Sequence, residues 1–507
     1  MTNRRVFLAG SLALAALPSN SLYGAPRPSD HRFKHLPEYD RYDGVGLAGL
    51  VRTGQVSPAE LLDAALERVT ALNPRINAVV HLAEERARAV VQAGLPQGPF
   101  AGVPFLLKDL TVHMKGLPYT AGSLAFAGKV SAFDSTVVER CQRAGLVILG
   151  RTTTPELGMT GTTESKLFGA TRNPWNLAKT TGGSSGGAAA AVAARIVPMA
   201  NASDGAGSIR TPASCCGVFG LKPSRGLVPL GPDRSSGWDG LGTVHAITRS
   251  VRDSAALLDV SAGGAPGDYY SSAPVAGSFL DEVGREPGRM RIALLRVSPS
   301  GTEVHTDCLV AVDDAARLCE QLGHVVEEVT LPVDQDVLRA ALLTTLRVAV
   351  AQALEDRAQE RRRPIDSAEI EAVNWIFYQD GLKVSGLDHA RAIQAYEQIA
   401  RSMAAFMAGC DVILSPTLGQ PPEDIGVLGL SPVDMGAFLK AIGRFGPFTA
   451  LYNVTGQPAM SVPLHWSAAG LPIGVMFAGR VGAEGRLYRL AAQLERARPW
   501  LGRSPTL

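Results

Sequence analysis

Residues 180–187 read Thr-Thr-Gly-Gly-Ser-Ser-Gly-Gly, and the chain continues directly into the alanine-rich stretch Ala188 to Ala194. Four glycines around two serines favour backbone shapes that bulkier side chains would exclude. The segment therefore predicts a tight polar turn at the start of a packed helix.

The turn allows three local interpretations. A phosphate cradle would need the Lys-Ser/Thr of a P-loop or the spacing G-x-G-x-x-G, and both are missing at this turn. Gly183 to Gly187 fits G-x-S-x-G with an exposed nucleophile at Ser185, but an apolar strand should precede such an elbow, and residues 172–179 have a loop composition. A purely structural turn that caps the alanine helix is the third.

Two other segments add reactive groups to the turn. Lys108 ends the apolar run 102–108, and burial lowers the pKa of a lysine by penalising the ammonium form. Ser208 follows Gly205-Ala206-Gly207, where small residues can bring several N–H groups to one point, as a developing oxyanion requires. A base, two glycine-flanked serines and an oxyanion site indicate acyl transfer.

Apolar runs alternate with helical patterns along most of the chain. This alternation is typical of an α/β sheet covered by helices on both faces. No internal repeat or linker interrupts it, so we expect one large domain over residues 26–507, with a predominantly helical part at 335–407. Strands are predicted at 103–107, 146–149, 292–295, 325–329, 412–414, 460–462 and 475–478, and helices at 58–73, 135–144, 306–322 and 484–496.

Composition excludes several classes of protein. The 507 residues include 49 basic and 47 acidic side chains, spread without a basic arm, which argues against nucleic-acid binding. Hydrophobic residues make up 46% of the chain, which excludes a disordered protein. The six cysteines form no C-x-x-C and no H-E-x-x-H occurs, so we expect no metal.

The first 25 residues resemble a twin-arginine signal peptide. Arg4 and Arg5 precede an apolar run from Val6 to Leu17, which is shorter than the about 20 residues that a membrane-spanning helix needs. This resemblance implies a periplasmic or secreted protein that is exported by the twin-arginine route. No second segment is expected to be long and apolar enough to cross a membrane, so we expect no membrane span once residues 1–25 are removed.

Taken together, the three reactive segments resemble the amidase signature family, whose members cleave amide bonds with a Ser-cisSer-Lys triad. The likeness extends from about Ser57 to Trp500. It implies one domain with a central mixed, twisted β-sheet covered by helices, a substrate-shaping part at 335–407 and no cofactor. Further matching motifs are Gly169 to Trp175, Gly220 to Pro223, Cys410 to Thr417 and Asn453 to Ala459.

The resemblance also implies roles for individual residues. Ser208 would be the nucleophile, Ser184 the bridging serine after a cis peptide bond, and Lys108 the base. The N–H groups of the oxyanion hole would be those of Gly205, Ala206, Gly207 and Ser208. The supporting residues would be Ser185, Ser203, Asp204 and Arg210.

One departure from the family pattern resembles a particular subgroup of the family. Most family members have two glycines before the nucleophile, whereas Ala206 and Gly207 stand here. The same Ala-Gly-Ser is similar to members that hydrolyse the cyclic dimer of 6-aminohexanoate, a cyclic amide. We therefore expect a small linear or cyclic amide as substrate.

Alternative functions remain open at this point. A glutamine-dependent amidotransferase subunit uses the same chemistry but passes ammonia to a cytoplasmic partner, which the export signal argues against. A serine esterase of the α/β-hydrolase type would use Ser185 with a histidine such as His465. A catalytically silent scaffold is disfavoured because all three triad residues are present, and a homodimer stays open.

Overall fold

The computed structural model describes residues 36–270 and 277–507, so the predicted signal at 1–25 and its boundary at 26 lie outside the described residues. The α-helices are α1 (Gly44–Arg52), α2 (Pro58–Ile76), α3 (Glu84–Ala93), α4 (Thr136–Arg143), α5 (Gly186–Ala193), α6 (Arg210–Cys216), α7 (Val251–Ser261), α8 (Phe279–Val283), α9 (Thr306–Gln321), α10 (Gln335–Arg361), α11 (Ala372–Gly381), α12 (Gly386–Phe406), α13 (Met435–Phe445), α14 (Leu451–Val454) and α15 (Glu484–Ala497). The strands are β1 (Val79–Val80), β2 (Pro104–Lys108), β3 (Val147–Thr152), β4 (Glu164–Ser165), β5 (Gly169–Ala170), β6 (Arg172–Asn173), β7 (Asn176–Thr180), β8 (Met199–Asp204), β9 (Phe219–Lys222), β10 (Thr243–Thr248), β11 (Arg291–Leu294), β12 (Val325–Glu328), β13 (Val412–Pro416), β14 (Ala459–Trp466) and β15 (Pro472–Ala478).

An eleven-stranded sheet forms the centre of the molecule. Its order is β1-β3-β2-β8-β10-β9-β14-β15-β13-β11-β12. The β2–β3 and β11–β13 pairs are parallel, whereas β8–β10 and β14–β15 are antiparallel. The predicted mixed sheet is confirmed, and helices pack on both of its faces through separate hydrophobic clusters.

The predicted strands all occur, with ends shifted by a few residues. They are found because a strand buried on both faces has a nearly continuous apolar sequence. Three neighbouring strands, β8, β9 and β10, were not predicted. The polar side chains of Asn201, Ser203 and Asp204 interrupt the apolar pattern of β8, although the whole strand is buried.

Helix α2 runs past its predicted end. The capping box at Ser57 and Glu60 forms as expected, but the helix continues through Pro74 to Ile76 instead of ending at Asn73. The Asn73 side chain accepts hydrogen bonds from the N–H groups of Ala78 and Val79. These bonds hold the last turn from outside the helix, and so compensate for the hydrogen bond that a proline cannot make.

The segment 335–407 is helical as predicted and consists mainly of α10, α11 and α12. One expectation about it is wrong: among the described residues α10 is long and apolar enough to cross a membrane by length and composition. In this fold α10 packs against α11 and α12. Leu338 and Leu354 are among its side chains that enter buried clusters.

Candidate active site

Lys108 lies at the end of β2, an interior strand of the sheet, and its side chain is fully buried. Its Nζ is 2.7 Å from Oγ of Ser184 and 3.0 Å from Oγ of Ser203. The backbone is held as well, because the Lys108 N–H donates to Oδ1 of Asn201 and the Lys108 carbonyl accepts from Arg151. The amine is therefore fixed between two serine hydroxyls.

Burial changes the protonation of this amine. Desolvation lowers the pKa of Lys108 to about 7, against a smaller opposing effect of the Asp204 carboxylate. A neutral amine has one lone pair and two N–H donors, so Lys108 can accept from Ser184 while it donates to Ser203. Near neutral pH the side chain is able to take a proton.

Ser184 is presented by the turn that opens α5. The cis peptide bond expected between Gly183 and Ser184 is present, and Ser184 is only 2% exposed. A Cβ on Gly183 would lie 2.0 Å from the Thr162 carbonyl oxygen, and one on Gly158 would lie 3.2 Å from Oγ of Ser184. Glycine is required at both positions because neighbouring atoms pack directly against the turn.

Ser208 lies between β8 and α6 and is half-buried. Its carbonyl accepts from the Ser185 N–H at 3.2 Å, which joins the two serine segments through their backbones. The direct Ser184–Ser208 hydrogen bond of the implied relay is not formed within the described residues. Catalytic hydrogen bonds are often long without substrate and tighten on binding.

The turn before Ser208 offers three free N–H groups rather than four. Among the described residues, no acceptor engages the N–H groups of Gly205, Ala206 or Ser208. The Gly207 N–H donates instead to Oδ1 of Asp204 at 2.7 Å. The expectation that all four would face an oxyanion is corrected in this respect, because Asp204 uses the Gly207 donor to shape the turn.

Asp204 and Arg210 fix this turn, as expected of a supporting pair. Both are fully buried, and Nε of Arg210 is 2.9 Å from Oδ2 of Asp204. Burial alone would raise the pKa of Asp204, but the Arg210 guanidinium outweighs it and holds that pKa well below its usual range. Asn453 also donates to Asp204, at 2.9 Å, and Arg210 donates to the Thr449 carbonyl.

Asn453 and Thr449 were not predicted to belong to the site. Thr449 donates to the Ala206 carbonyl at 2.6 Å, and Asn453 donates to the Asp204 carbonyl at 3.0 Å. Both lie more than 240 positions away along the chain. Asn453 opens a motif quoted above only for its likeness to the family, and nothing in its local sequence indicates this contact.

Ser185 and Ser203 have supporting positions. The Ser185 hydroxyl is fully buried and donates to the Ser203 carbonyl, while the Ser203 N–H donates back to it. The Ser203 hydroxyl accepts from Lys108, and Thr111 approaches it at 3.3 Å. Ser185 is thus not the exposed nucleophile of an elbow, and His465 lies beside Asp314 instead.

The described residues contain no group of three or more His, Cys, Asp or Glu side chains that could hold a metal ion. All six cysteines are free and buried, including the adjacent Cys215 and Cys216. Desolvation raises the pKa values of both of these thiols. Burial and raised pKa values make both thiols poor nucleophiles.

Comparison with known proteins agrees with this geometry. The sequence model of the family described as Amidase matches residues 60–488. A 6-aminohexanoate-cyclic-dimer hydrolase of Paenarthrobacter ureafaciens is 39% identical over 478 residues, which cover 92% of this chain and 96% of that protein.

Solved structures give the same result. One of 6-aminohexanoate cyclic dimer hydrolase aligns with a TM-score of 0.87 at 37% identity, covering 92% of this chain and 99% of the other. A bacterial aryl acylamidase aligns with a TM-score of 0.83 at 29% identity, covering 90% and 96% of the two chains. Because the family model and these relatives span nearly the whole domain, this chain belongs to the amidase family.

Proposed function

We propose that the protein hydrolyses a carbon–nitrogen amide bond through an acyl-enzyme on Ser208. The observation that carries this proposal is the buried Lys108 amine, whose Nζ lies 2.7 Å from the Ser184 hydroxyl and whose pKa is lowered to about 7. A neutral amine next to a serine can serve as a general base without a histidine. The family model and the hydrolase relatives support the same reaction class.

Acylation begins when Lys108 takes the proton of Ser184 and Ser184 takes that of Ser208. The Ser208 Oγ then forms a bond to the amide carbon, and the carbonyl oxygen becomes an oxyanion. The free N–H groups of Gly205, Ala206 and Ser208 are the donors for it, each worth about 3–4 kcal/mol when well placed. The carbon–nitrogen bond then breaks, and the leaving nitrogen takes a proton from Ser184, which regains one from Lys108.

Deacylation repeats these transfers with water. Water adds to the ester carbon and gives one proton through Ser184 to Lys108. The bond between the carbon and Ser208 Oγ breaks, and Ser208 receives its proton back through Ser184. The products are a carboxylic acid and the amine released earlier, and the enzyme returns to its starting state.

For the substrate, we propose small amides, among them the cyclic dimer of 6-aminohexanoate. The support is the 39% identity to a hydrolase of that compound, together with the resemblance noted above for Ala-Gly-Ser at residues 206–208. Pocket shape rather than the triad selects among amides. Measuring hydrolysis of aryl amides, linear 6-aminohexanoate oligomers and the cyclic dimer therefore tests this choice. If the wild type hydrolysed the cyclic dimer no faster than Ser208→Ala does, the cyclic dimer would be rejected as a substrate.

Covalent labelling tests the reaction itself. A fluorophosphonate should label the wild-type protein, and peptide mass spectrometry should locate the label on Ser208. Ser208→Ala should lose both the label and amide hydrolysis, while keeping the thermal midpoint of the wild type. A label on Ser185, or undiminished turnover in Ser208→Ala, would overturn the proposal.

We also propose that the protein is exported by the twin-arginine route, on the basis of Arg4, Arg5 and the short apolar run after them. Replacing both arginines with lysine should keep the protein in the cytoplasm, as fractionation of producing cells would show.

We also propose that α10 is a helix of the domain and not a membrane span. Recovery of the mature chain in a carbonate-resistant membrane fraction would contradict this proposal. Sedimentation analysis of the same protein decides whether it is a homodimer.

A further inference from the structure

The turn at 237–242 lies over the oxyanion segment. A Cβ on Gly205 would lie 2.5 Å from Cε3 and 2.6 Å from Cζ3 of Trp238, so the indole ring rests directly on the Gly205 backbone. Trp238 is nevertheless only half-buried. Its ring therefore combines close contact with the reactive turn and a remaining open surface beside it.

The backbone of this turn is held in an uncommon conformation. Trp238 has φ 51° and Asp239 has φ 53°, in the left-handed region that costs a non-glycine residue about 1–2 kcal/mol. Such a conformation persists only where the surroundings enforce it, and it often marks a functional position. Here Arg225 donates to the Gly240 carbonyl at 2.7 Å, and Asn453 donates to the Leu241 carbonyl at 3.0 Å.

The same turn is tied to the helical part of the chain. Nε2 of His389, in α12, lies 2.8 Å from Oδ2 of Asp239. Helix α10 also packs against the turn. The segment 335–407 therefore reaches the reaction site through the residue next to Trp238.

The position of Trp238 indicates which part of a substrate it would meet. The leaving nitrogen must come close to Ser184, and that hydroxyl is bordered by Lys108 and Gly158. Among the described residues, no residue of the turn 237–242 has a hydrogen bond to Ser184. The apolar ring of Trp238 therefore lies beside Gly205, whereas Lys108 and Gly158, which border the Ser184 hydroxyl, come from other elements.

We propose that Trp238 is a specificity-determining residue that forms the apolar wall for the acyl group of the substrate, and that the His389–Asp239 pair positions it. The proposal rests on the amidase reaction described above. It assigns the acyl side of the substrate to an unbranched methylene chain or a flat ring that can cover the indole. His389 acts through Asp239 and is a positioning residue.

A series of p-nitroanilides tests the wall directly. For the wild type we expect kcat/KM to rise at least tenfold from the acetyl to the hexanoyl anilide. Trp238→Ala should reduce this ratio to within threefold of unity, and Trp238→Phe should keep most of the ratio. A flat wild-type series, or an unchanged ratio in Trp238→Ala, would overturn the proposal.

The His389–Asp239 pair is tested by separating its effect on KM from its effect on kcat. His389→Ala should raise KM for the hexanoyl anilide at least threefold at nearly constant kcat, and His389→Gln, which can still donate to Asp239, should restore most of it. His305→Ala is the control, because it removes another histidine beside an aspartate, Asp307, and the His305 side chain caps α9 instead of contacting the turn. An equal effect of the control, or none in His389→Ala, contradicts the positioning role.

Fluorophosphonate labelling separates the two levels of inference. The small probe should still label Ser208 in every variant, which shows that the fold and the nucleophile are intact. A wild type that is neither labelled nor active refutes the amidase function, and with it the wall. A labelled, active wild type with an unaltered profile in Trp238→Ala refutes the wall alone.

Discussion

A lysine in water keeps its proton at neutral pH, and Lys108 must lose it before it can accept one from Ser184. Burial favours the loss of that proton by lowering the pKa to about 7, since the side chain is fully enclosed at the end of β2. A second buried lysine, Lys222, also has its pKa lowered to about 7 by desolvation, with a further contribution from Arg210. Lys222 donates to the Pro223 carbonyl, whereas Lys108 lies 2.7 Å from Ser184 Oγ, and so Lys108 is the base in the proposed mechanism.

The pKa of Lys108 predicts the pH dependence of the reaction. Because only the neutral amine is a base, kcat/KM should rise tenfold per pH unit on the acid side and level off above an apparent pKa of about 7. Lys108→Met and Lys108→Arg should both be inactive at every pH, since arginine keeps its proton. The pH–rate profiles of wild type and Lys222→Met should have the same midpoint. A midpoint that shifts in Lys222→Met would show that Lys222, and not Lys108, sets the apparent pKa.

Gly158 gives a second prediction at this scale. It has φ +72°, and an added Cβ would meet Cδ2 of Leu110 at 2.6 Å and Oγ of Ser184 at 3.2 Å. Gly158→Ala should therefore lower kcat at least tenfold in addition to its backbone cost of about 1–2 kcal/mol. Gly128→Ala is the control, because Gly128 has φ +77° and open space around it. Equal kinetics in the two variants would show that the crowding at Ser184 is harmless.

Among the secondary-structure elements, the helical part of the chain has a second connection to the site, through the carboxylate of Glu156. Glu156 is 1% exposed and accepts from the Glu371 N–H at 2.8 Å, from Nδ2 of Asn374 at 2.9 Å and from the Ser123 hydroxyl at 2.8 Å. Glu371 caps α11, and Glu156 begins the short turn that carries Gly158 to Ser184. Helix α11 thus helps to define where that turn lies.

The loss of this connection should be measurable. Glu156→Ala leaves the Glu371 N–H and one N–H of the Asn374 amide without an acceptor, at about 1–3 kcal/mol each, and should lower the free energy of unfolding by about 2–4 kcal/mol. Glu156→Gln can accept from both donors and donate to Ser123, so it should stay within about 1 kcal/mol of wild type. Denaturant unfolding of the two variants makes the comparison. A Gln variant as unstable as the Ala variant would mean that the charge, not the hydrogen bonds, is required.

At the scale of the whole molecule, the central sheet is made by two parts of the chain. The first part contributes β1 to β3 and β8 to β10, the second contributes β11 to β15, and they meet where β9 pairs with β14. The reactive residues Lys108, Ser184 and Ser208 all come from the first part. The second part supplies Asn453 and the Thr449 carbonyl, which hold Asp204 and Arg210. The oxyanion turn is therefore shaped only when both parts are folded together.

A variant of the buried pair tests this dependence. Asp204→Asn leaves the Arg210 charge buried without its partner, which should cost about 3–5 kcal/mol of unfolding free energy and abolish hydrolysis. Glu327→Gln breaks the exposed pair with Arg291 and should change stability by less than about 1 kcal/mol. Both free energies follow from urea unfolding monitored by circular dichroism. A small loss in Asp204→Asn would show that the turn holds its shape without the ion pair.

What could be predicted from the sequence follows from how local each signal is. Continuous apolar runs such as Val147 to Leu149 indicate buried strands on their own, and a base with two glycine-flanked serines indicates acyl transfer. Strand β8 was not predicted because its buried polar residues serve the site rather than the core. Asn453 escaped because its contact joins residues 249 positions apart, and the donation from Gly207 to Asp204 depends on the exact bend of a turn.

The enclosure of Lys108 and Lys222 links the folding of this protein to the acidity of its surroundings. Each amine titrates near 10.5 when free and near 7 in the native state, so between these values the chain expels protons as it folds. The unfolded form then binds more protons, and native stability increases as pH rises from about 7 towards 10.5. Acidification therefore disfavours the native state by the same titration that disables its base, and the heat of folding at alkaline pH will vary with the ionisation enthalpy of the buffer.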